Sequence, residues 1–193
     1  MRRRLAVINS LDNEVDLPDA VRKAAEKVEL IVMDVDGVLT DGHVYQLDNG
    51  EQMLCFDAQD GLALTLCRIA GIRLAVISGR DVPAARIRMG RFPQIELHMG
   101  VIRKAPVLME ISRRLGIPLE NTAYIGDDLI DLPLLEMAGL PVSVPNAVPE
   151  ARKMALYITG SAGGHGAVRE LVTLVLKARG LYADAVKHYI EEH

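Results

Sequence analysis

Along the chain, short unbroken apolar runs alternate with longer stretches in which apolar positions recur every three or four residues. The first run, Val28-Glu29-Leu30-Ile31-Val32-Met33, has the length of a strand and ends on Asp34. Runs of the same kind lie at 73–77, 94–98, 122–125 and 140–144. Helical spacing covers 60–70, 81–89, 104–115, 128–138, 148–155 and 166–178. A further short helix is predicted over 18–27, with Asp16 near its cap and Pro18 in its first turn. Unbroken apolar strands are covered on both faces, and strands alternating with helices predict a parallel sheet between helical layers. The expected fold is α/β, a doubly wound parallel sheet. Such sheets bind ligands beyond the carboxyl ends of their strands.

One segment breaks the alternation. Residues 43–47 and 51–56 flank Asp48-Asn49-Gly50, which predicts a β-hairpin directly after the first strand. A two-stranded hairpin is marginal alone, so it is expected to rest on the domain or on another subunit. Residues 1–17 show no period and are expected to be irregular. No repeat or linker divides the rest, which predicts a single domain over 18–180 and a helical tail over 181–193.

Composition narrows the function classes. The chain has 193 residues, 22 Lys plus Arg against 26 Asp plus Glu, two Phe and no Trp. A mildly acidic surface without stacking platforms predicts no nucleic-acid partner. Arg2 to Arg4 resemble the start of a signal peptide, but the apolar run behind them stops at Asn9, Asp12, Asn13 and Glu14. No apolar stretch approaches the roughly 18 residues a membrane span needs. Cys55 and Cys67 cannot form a disulfide framework, so a reducing, cytoplasmic location is expected.

The strand ends carry the chemistry. Asp34-Val35-Asp36-Gly37 closes the first strand, and side chains two apart on a strand point the same way. Read alone, Asp-x-Asp-Gly is equally an ordinary turn. Gly126-Asp127-Asp128-Leu129-Ile130-Asp131 follows a later strand; a helix cap needs one acid, and here three gather. With Asp34 and Asp36 they predict an oxygen-rich pocket suited to Mg²⁺. Ser78-Gly79-Arg80 ends another strand, where Ser78 or Asp81 also reads as a helix cap. Lys104 opens a helix, a place where a cation opposes the helix dipole, which suggests an anion beside it. A nucleophile, a metal pocket, a hydroxyl and a lysine together are what phosphoryl transfer requires.

In this order and spacing, 44, 26 and 23 residues apart, Asp34 to Leu39, Ser78 to Arg80, Lys104 and Gly126 to Asp131 resemble the four motifs of the haloacid dehalogenase superfamily. Neither long gap has room for a cap domain, so the chain resembles the capless branch, whose subunits close each other's sites in a homotetramer. That resemblance implies hairpins at the subunit interface. Asp34 to Gly42, Asp48 to Glu51, Phe56 to Gly61, Gly126 to Pro133 and Gly163 to Glu170 resemble those members that act on an eight-carbon sugar-acid phosphate. The resemblance implies Asp34 as nucleophile and Asp36 as acid and base. It implies Mg²⁺ on Asp34, the Asp36 carbonyl and Asp127, with Asp128 or Asp131 orienting the metal's waters. Ser78 and Lys104 would hold the phosphoryl oxygens. Gly79, Arg80, Arg88 and the loop carrying Asp57, Gln59, Asp60 and Gly61 would meet the substrate, and Arg88 reads equally well as a helix surface charge. Gln59 and Thr65 stand where the family commonly has arginine, which keeps a nine-carbon sugar acid open. The glycine-rich 161–166 is expected to be a flexible entry to the last helices rather than a phosphate cradle. The rival class is a phospho-accepting receiver domain, but there the phosphorylated Asp lies on a later strand than the acid pair.

Overall fold

The computed structural model describes residues 17–192, so the irregular segment, Leu17 apart, lies outside the described residues. α1 (Asp19–Ala25) leads into β1 (Leu30–Met33), whose four side chains are all buried. A two-stranded hairpin, β2 (Tyr45–Gln46) and β3 (Gln52–Met53), follows, then α2 (Ala58–Ile69), β4 (Arg73–Ser78), α3 (Pro83–Met89) and β5 (Ile95–Met99). The second half runs α4 (Lys104–Leu115), β6 (Thr122–Ile125), α5 (Leu132–Met137), β7 (Leu140–Ser143), α6 (Pro149–Met154) and β8 (Tyr157–Ile158). It ends with α7 (Ala167–Ala178) and α8 (Tyr182–Glu192).

The main sheet has six parallel strands in the order β5-β4-β1-β6-β7-β8. The chain builds one half of the sheet from β1 outward, then returns to build the other half, so β1 lies at the switch point where such sheets bind ligands. The register aligns Met33 with Val76 and with Ile125. The residues that follow β1, β4 and β6 therefore emerge together at one edge. Two groups of helices pack among themselves, α7 with α1, α2 and α8, and α5 with α4 and α6. A doubly wound sheet requires this arrangement, because its strands are apolar on both faces.

Three elements differ from the sequence pattern. The hairpin pairs only two residues on each strand, and its apolar positions Val44, Tyr45, Leu47 and Met53 are exposed. The helix expected over 128–138 divides into a tight turn, Leu129–Asp131, and α5, where Pro133 takes the first-turn position that suits proline. β8 was not foreseen; two residues carry too little pattern to register as a strand.

Candidate active site

Asp34 ends β1 in extended conformation and accepts hydrogen bonds from the Val35 amide at 2.7 Å and from Lys104 Nζ at 2.9 Å. The chain then turns at once: Asp36 has ψ 120° and Gly37 has φ 82°, a left-handed conformation that favours glycine. Asp34 and Asp36 thus share a site because of this turn, not through strand alternation as the sequence suggested. Gly37 is required twice over, since a Cβ there would lie 2.0 Å from Asp127 Oδ2. Gly37→Ala is expected to cost about 1–3 kcal/mol of stability from the backbone alone. It also displaces Asp127, so turnover falls by at least about a hundredfold, as for other losses of a preorganised charge site. A thermal melt and a phosphate-release assay on this variant check both effects.

Lys104 is buried and lies 2.9 Å from Asp34 Oδ1 and 2.7 Å from Asp131 Oδ1. The protein's own carboxylates therefore supply negative charge beside Lys104 at this helix start. Asp131 is fully engaged. Its Oδ1 also accepts from the Tyr124 hydroxyl at 2.6 Å, and its Oδ2 accepts from the amides of Asp127 and Asp128 at 2.9 and 3.2 Å. Burial works against the charge on Lys104, but Asp34 and Asp131 beside it outweigh burial and raise its pKa. Asp128 is exposed at the mouth of the site and caps the following turn through the Leu129 amide at 2.7 Å.

A cavity of about 340 Å³ opens over these residues, lined by Asp34, Asp36, Gly79, Arg80, Lys104, Asp127 and Asp128, with Gly42 and Ile130. Carboxylate oxygens of Asp34, Asp127 and Asp131 lie within 4.8 Å of one another. With Asp131 saturated, the free oxygens belong to Asp34 and Asp127, and Asp127 Oδ1 is buried with no hydrogen-bond partner. An orphaned carboxylate oxygen beside a second carboxylate fits a hard divalent cation such as Mg²⁺.

The carboxylates carry the imprint of that crowding. Burial and then the Asp131 charge push Asp34 up to about 7, against the pull of Lys104. Burial and then the Asp34 and Asp131 charges push Asp127 up to about 8. Without metal, the folded protein holds protons that unfolded carboxyls near 3.8 have released. Its stability therefore falls as pH rises through the window that ends at about 7 and 8. Mg²⁺ takes the place of those protons, so it should raise the melting temperature more at about pH 8 than at about pH 6, with proton release. Melts in chelator and in Mg²⁺ across that range check this; equal increments at both ends would contradict it.

Ser78 is buried at the end of β4 and its Oγ accepts from the Arg80 amide at 3.2 Å. It does not cap α3, nor does Asp81: that helix starts on Pro83 without a side-chain cap, and Asp81 pairs instead with Arg86. Arg80 donates from Nη1 to Asp36 Oδ1 at 2.7 Å and from Nη2 to Gln52 Oε1 at 2.5 Å.

Of the expected phosphate and substrate contacts, Ser78, Asp57, Gln59, Asp60, Gly61 and Arg88 do not line the cavity. Arg88 is neither a free surface charge nor aimed at the site. Its guanidinium lies over Phe56 and Phe92, 5.9 and 5.3 Å from the ring centres, and donates to the Asp57 carbonyl. A Cβ on Gly61 would come within 2.5 Å of that group, so the glycine makes room for it. Asp60 is buried and accepts from the Arg169 amide at 2.7 Å in the first turn of α7. Burial pushes its pKa up to about 6, against that amide, and one carboxylate oxygen partners the start of α7. Gln59 and Thr65 lie on α2, exposed and half-buried respectively.

Two features escaped the sequence reading. Asn146 bridges the turn after β1 to the glycine-rich segment, donating to the Gly37 carbonyl at 2.9 Å and accepting from the Gly163 amide at 2.8 Å. The glycine-rich segment is thereby corrected from a flexible entry to a packed backing of the catalytic turn. A Cβ on Gly163 would fall 1.7 Å from the Gly37 carbonyl oxygen, and the Gly164 amide donates to the Val38 carbonyl. Three glycines in six residues were the available signal; their close approach to another backbone was not.

A parallel sheet with an acid pair after its central strand, a lysine and a second acid cluster at the same edge defines a haloacid dehalogenase-type hydrolase. A sequence-family model described as haloacid dehalogenase-like hydrolase matches residues 90–171. The chain is 39% identical over 165 residues to the 3-deoxy-D-manno-octulosonate 8-phosphate phosphatase KdsC of Salmonella typhi, covering 86% of this chain and 88% of that one. It is 34% identical over 160 residues to the enzyme of the same name from Haemophilus influenzae, covering 83% and 89%. A crystal structure of the 3-deoxy-D-manno-octulosonate 8-phosphate phosphatase of Moraxella catarrhalis, in complex with magnesium ion, phosphate ion and a KDO molecule, superposes with a TM-score of 0.86. It is 36% identical and covers 90% of this chain and 99% of that one. The chain belongs to the 3-deoxy-D-manno-octulosonate 8-phosphate phosphatase family of haloacid dehalogenase-like hydrolases.

Proposed function

We propose that this protein is a Mg²⁺-dependent phosphatase that hydrolyses 3-deoxy-D-manno-octulosonate 8-phosphate to the free sugar acid and inorganic phosphate. The observation that carries the reading is the convergence of Asp34, Asp36, Lys104 and Asp127 on one cavity, in a chain that relatives named for that activity match over 86% of its length. An Asp34 carboxylate oxygen attacks phosphorus and the bond from phosphorus to the sugar oxygen breaks, leaving an aspartyl-phosphate. Asp36 gives a proton to the departing sugar oxygen. It then takes one from the water that attacks the aspartyl-phosphate, and phosphate leaves with Asp34 restored. A bound Mg²⁺, held by Asp34, Asp127 and the Asp36 carbonyl, supplies positive charge beside the phosphoryl group. Lys104 has three ammonium donors; Asp34 and Asp131 take two, and the third is left for a phosphoryl oxygen. Ser78 retains its hydroxyl proton for another, while Asp128 at the mouth and Asp131 behind Lys104 hold the surrounding charge in place.

Phosphate release with Mg²⁺ across phosphorylated sugars tests the substrate. The eight-carbon acid should exceed nine-carbon acids and hexose phosphates in kcat/KM by at least about tenfold, the scale of discrimination from a few contacts. A preference for a nine-carbon acid would replace the substrate and keep the chemistry. The proposal extends to a homotetramer built on the exposed apolar hairpin, for which Val44, Leu47 and Met53 are the support. Cytoplasmic residence is supported by the two unpaired cysteines. Among the described residues no helix is long and apolar enough to cross a membrane.

A further inference from the structure

Arg80 links two parts of the chain that the catalytic reading leaves unconnected. One end of its guanidinium holds Asp36 Oδ1 at 2.7 Å; the other is held by Gln52 Oε1 at 2.5 Å, from the second strand of the hairpin. Gln52 is not free to turn. Its Nε2 donates to Gln46 Oε1 at 2.9 Å, across the antiparallel register that pairs Gln46 with Gln52. Gln46 in turn donates from its own Nε2 to the Glu51 carbonyl at 3.3 Å. Each amide has its donor end and its acceptor end committed, so the Gln52 carbonyl faces Arg80. The base of the hairpin is tied to the catalytic turn by the bridge between Thr40 and Phe56. A half-exposed arginine with a single anchor samples many rotamers; one gripped at both ends presents a fixed fork.

We propose that Gln52 is a positioning residue for the Asp36 carboxyl, acting through Arg80. With Oδ1 committed to Arg80, the proton exchanged with the leaving sugar oxygen and with water is carried by Oδ2, in one orientation toward the cavity. The hairpin then contributes to proton transfer without touching the reacting atoms. The inference rests on the reading of Asp36 as proton donor to the leaving group.

The test uses leaving groups that differ in their need for a proton. A sugar alkoxide needs one, whereas para-nitrophenolate departs without it. For each variant the readout is the ratio of kcat/KM on the sugar-acid phosphate to kcat/KM on para-nitrophenyl phosphate. Proton transfer by a positioned side chain contributes about a hundredfold or more, so Gln52→Leu, which loosens but keeps the acid, should lower the ratio by about tenfold. Gln52→Glu retains an acceptor for Arg80 and should bring the ratio back to within about threefold of the native value. Asp36→Asn should lower it by about a hundredfold. If Gln52→Leu lowers both substrates alike, the residue is merely structural and the proposal is overturned while the phosphatase reading stands. If Asp36→Asn leaves the ratio unchanged, the acid–base reading itself fails, and the proposal with it. Gln46→Leu, which frees the Gln52 amide but keeps its oxygen, should lower the ratio less than Gln52→Leu; an equal or larger drop would contradict the relay.

Discussion

Asp34→Asn is expected to reduce kcat by at least about ten-thousandfold, the scale seen when a nucleophile that acts with its partners is removed. An amide oxygen is a poor nucleophile toward phosphorus, and an amide carries no charge to hold a divalent cation. The fold should persist, because the asparagine oxygen still accepts from the Val35 amide and the variant has one fewer charge among the crowded carboxylates. The metal-free variant should therefore melt within a few degrees of the native chain, and its far-ultraviolet circular dichroism should match. Retained turnover in a folded Asp34→Asn protein would remove Asp34 as nucleophile.

Lys104→Met should produce the largest loss of stability. Lys104 is the cation between Asp34 and Asp131, and all three side chains are almost fully buried. Removing one partner of a buried ion pair costs about 3–5 kcal/mol, because a charge is left behind without compensation. For a chain of this size that lowers the melting temperature by about 10 °C. The carboxylates can escape the penalty only by binding protons, so the deficit against the native chain should shrink as pH falls from about 8 to about 6. Adding Asp131→Asn should recover part of the loss by removing one of the two stranded charges. Thermal melts of the three proteins at the two pH values check the sign. A single variant as stable as the native chain would mean that Lys104 is not the compensating charge.

Much of this geometry was legible in the sequence. Unbroken runs such as Leu30 to Met33 can lie only in a sheet covered on both faces, and parallel strands bring their ends to one edge. The sequence pattern alone therefore brings Asp34, Ser78 and Asp127 to one edge. What the sequence hid was pairing across the chain. The spacing of Lys104 and Asp131 says nothing of their contact, which exists because α4 and the turn before α5 meet under the site. Lys104 reads from sequence as needing an anion, and two internal carboxylates lie against it. Asp60 looked like a loop residue facing substrate; a 109-residue separation from Arg169 concealed its place at the start of α7. Asn146 had no motif around it, and its role depends on two backbone groups that only the folded turn presents. Gln52 resembled any polar hairpin position until its register with Gln46 fixed where its carbonyl points.

The central claim is a two-step transfer through Asp34, and the stereochemistry at phosphorus tests it most directly. The native enzyme would be given a sugar-acid phosphorothioate made chiral at phosphorus with two oxygen isotopes, in water carrying the third, and the configuration of the thiophosphate released determined. Two successive in-line displacements, by Asp34 and then by water, predict net retention. Inversion would mean that water attacks the substrate directly and that Asp34 is not the nucleophile.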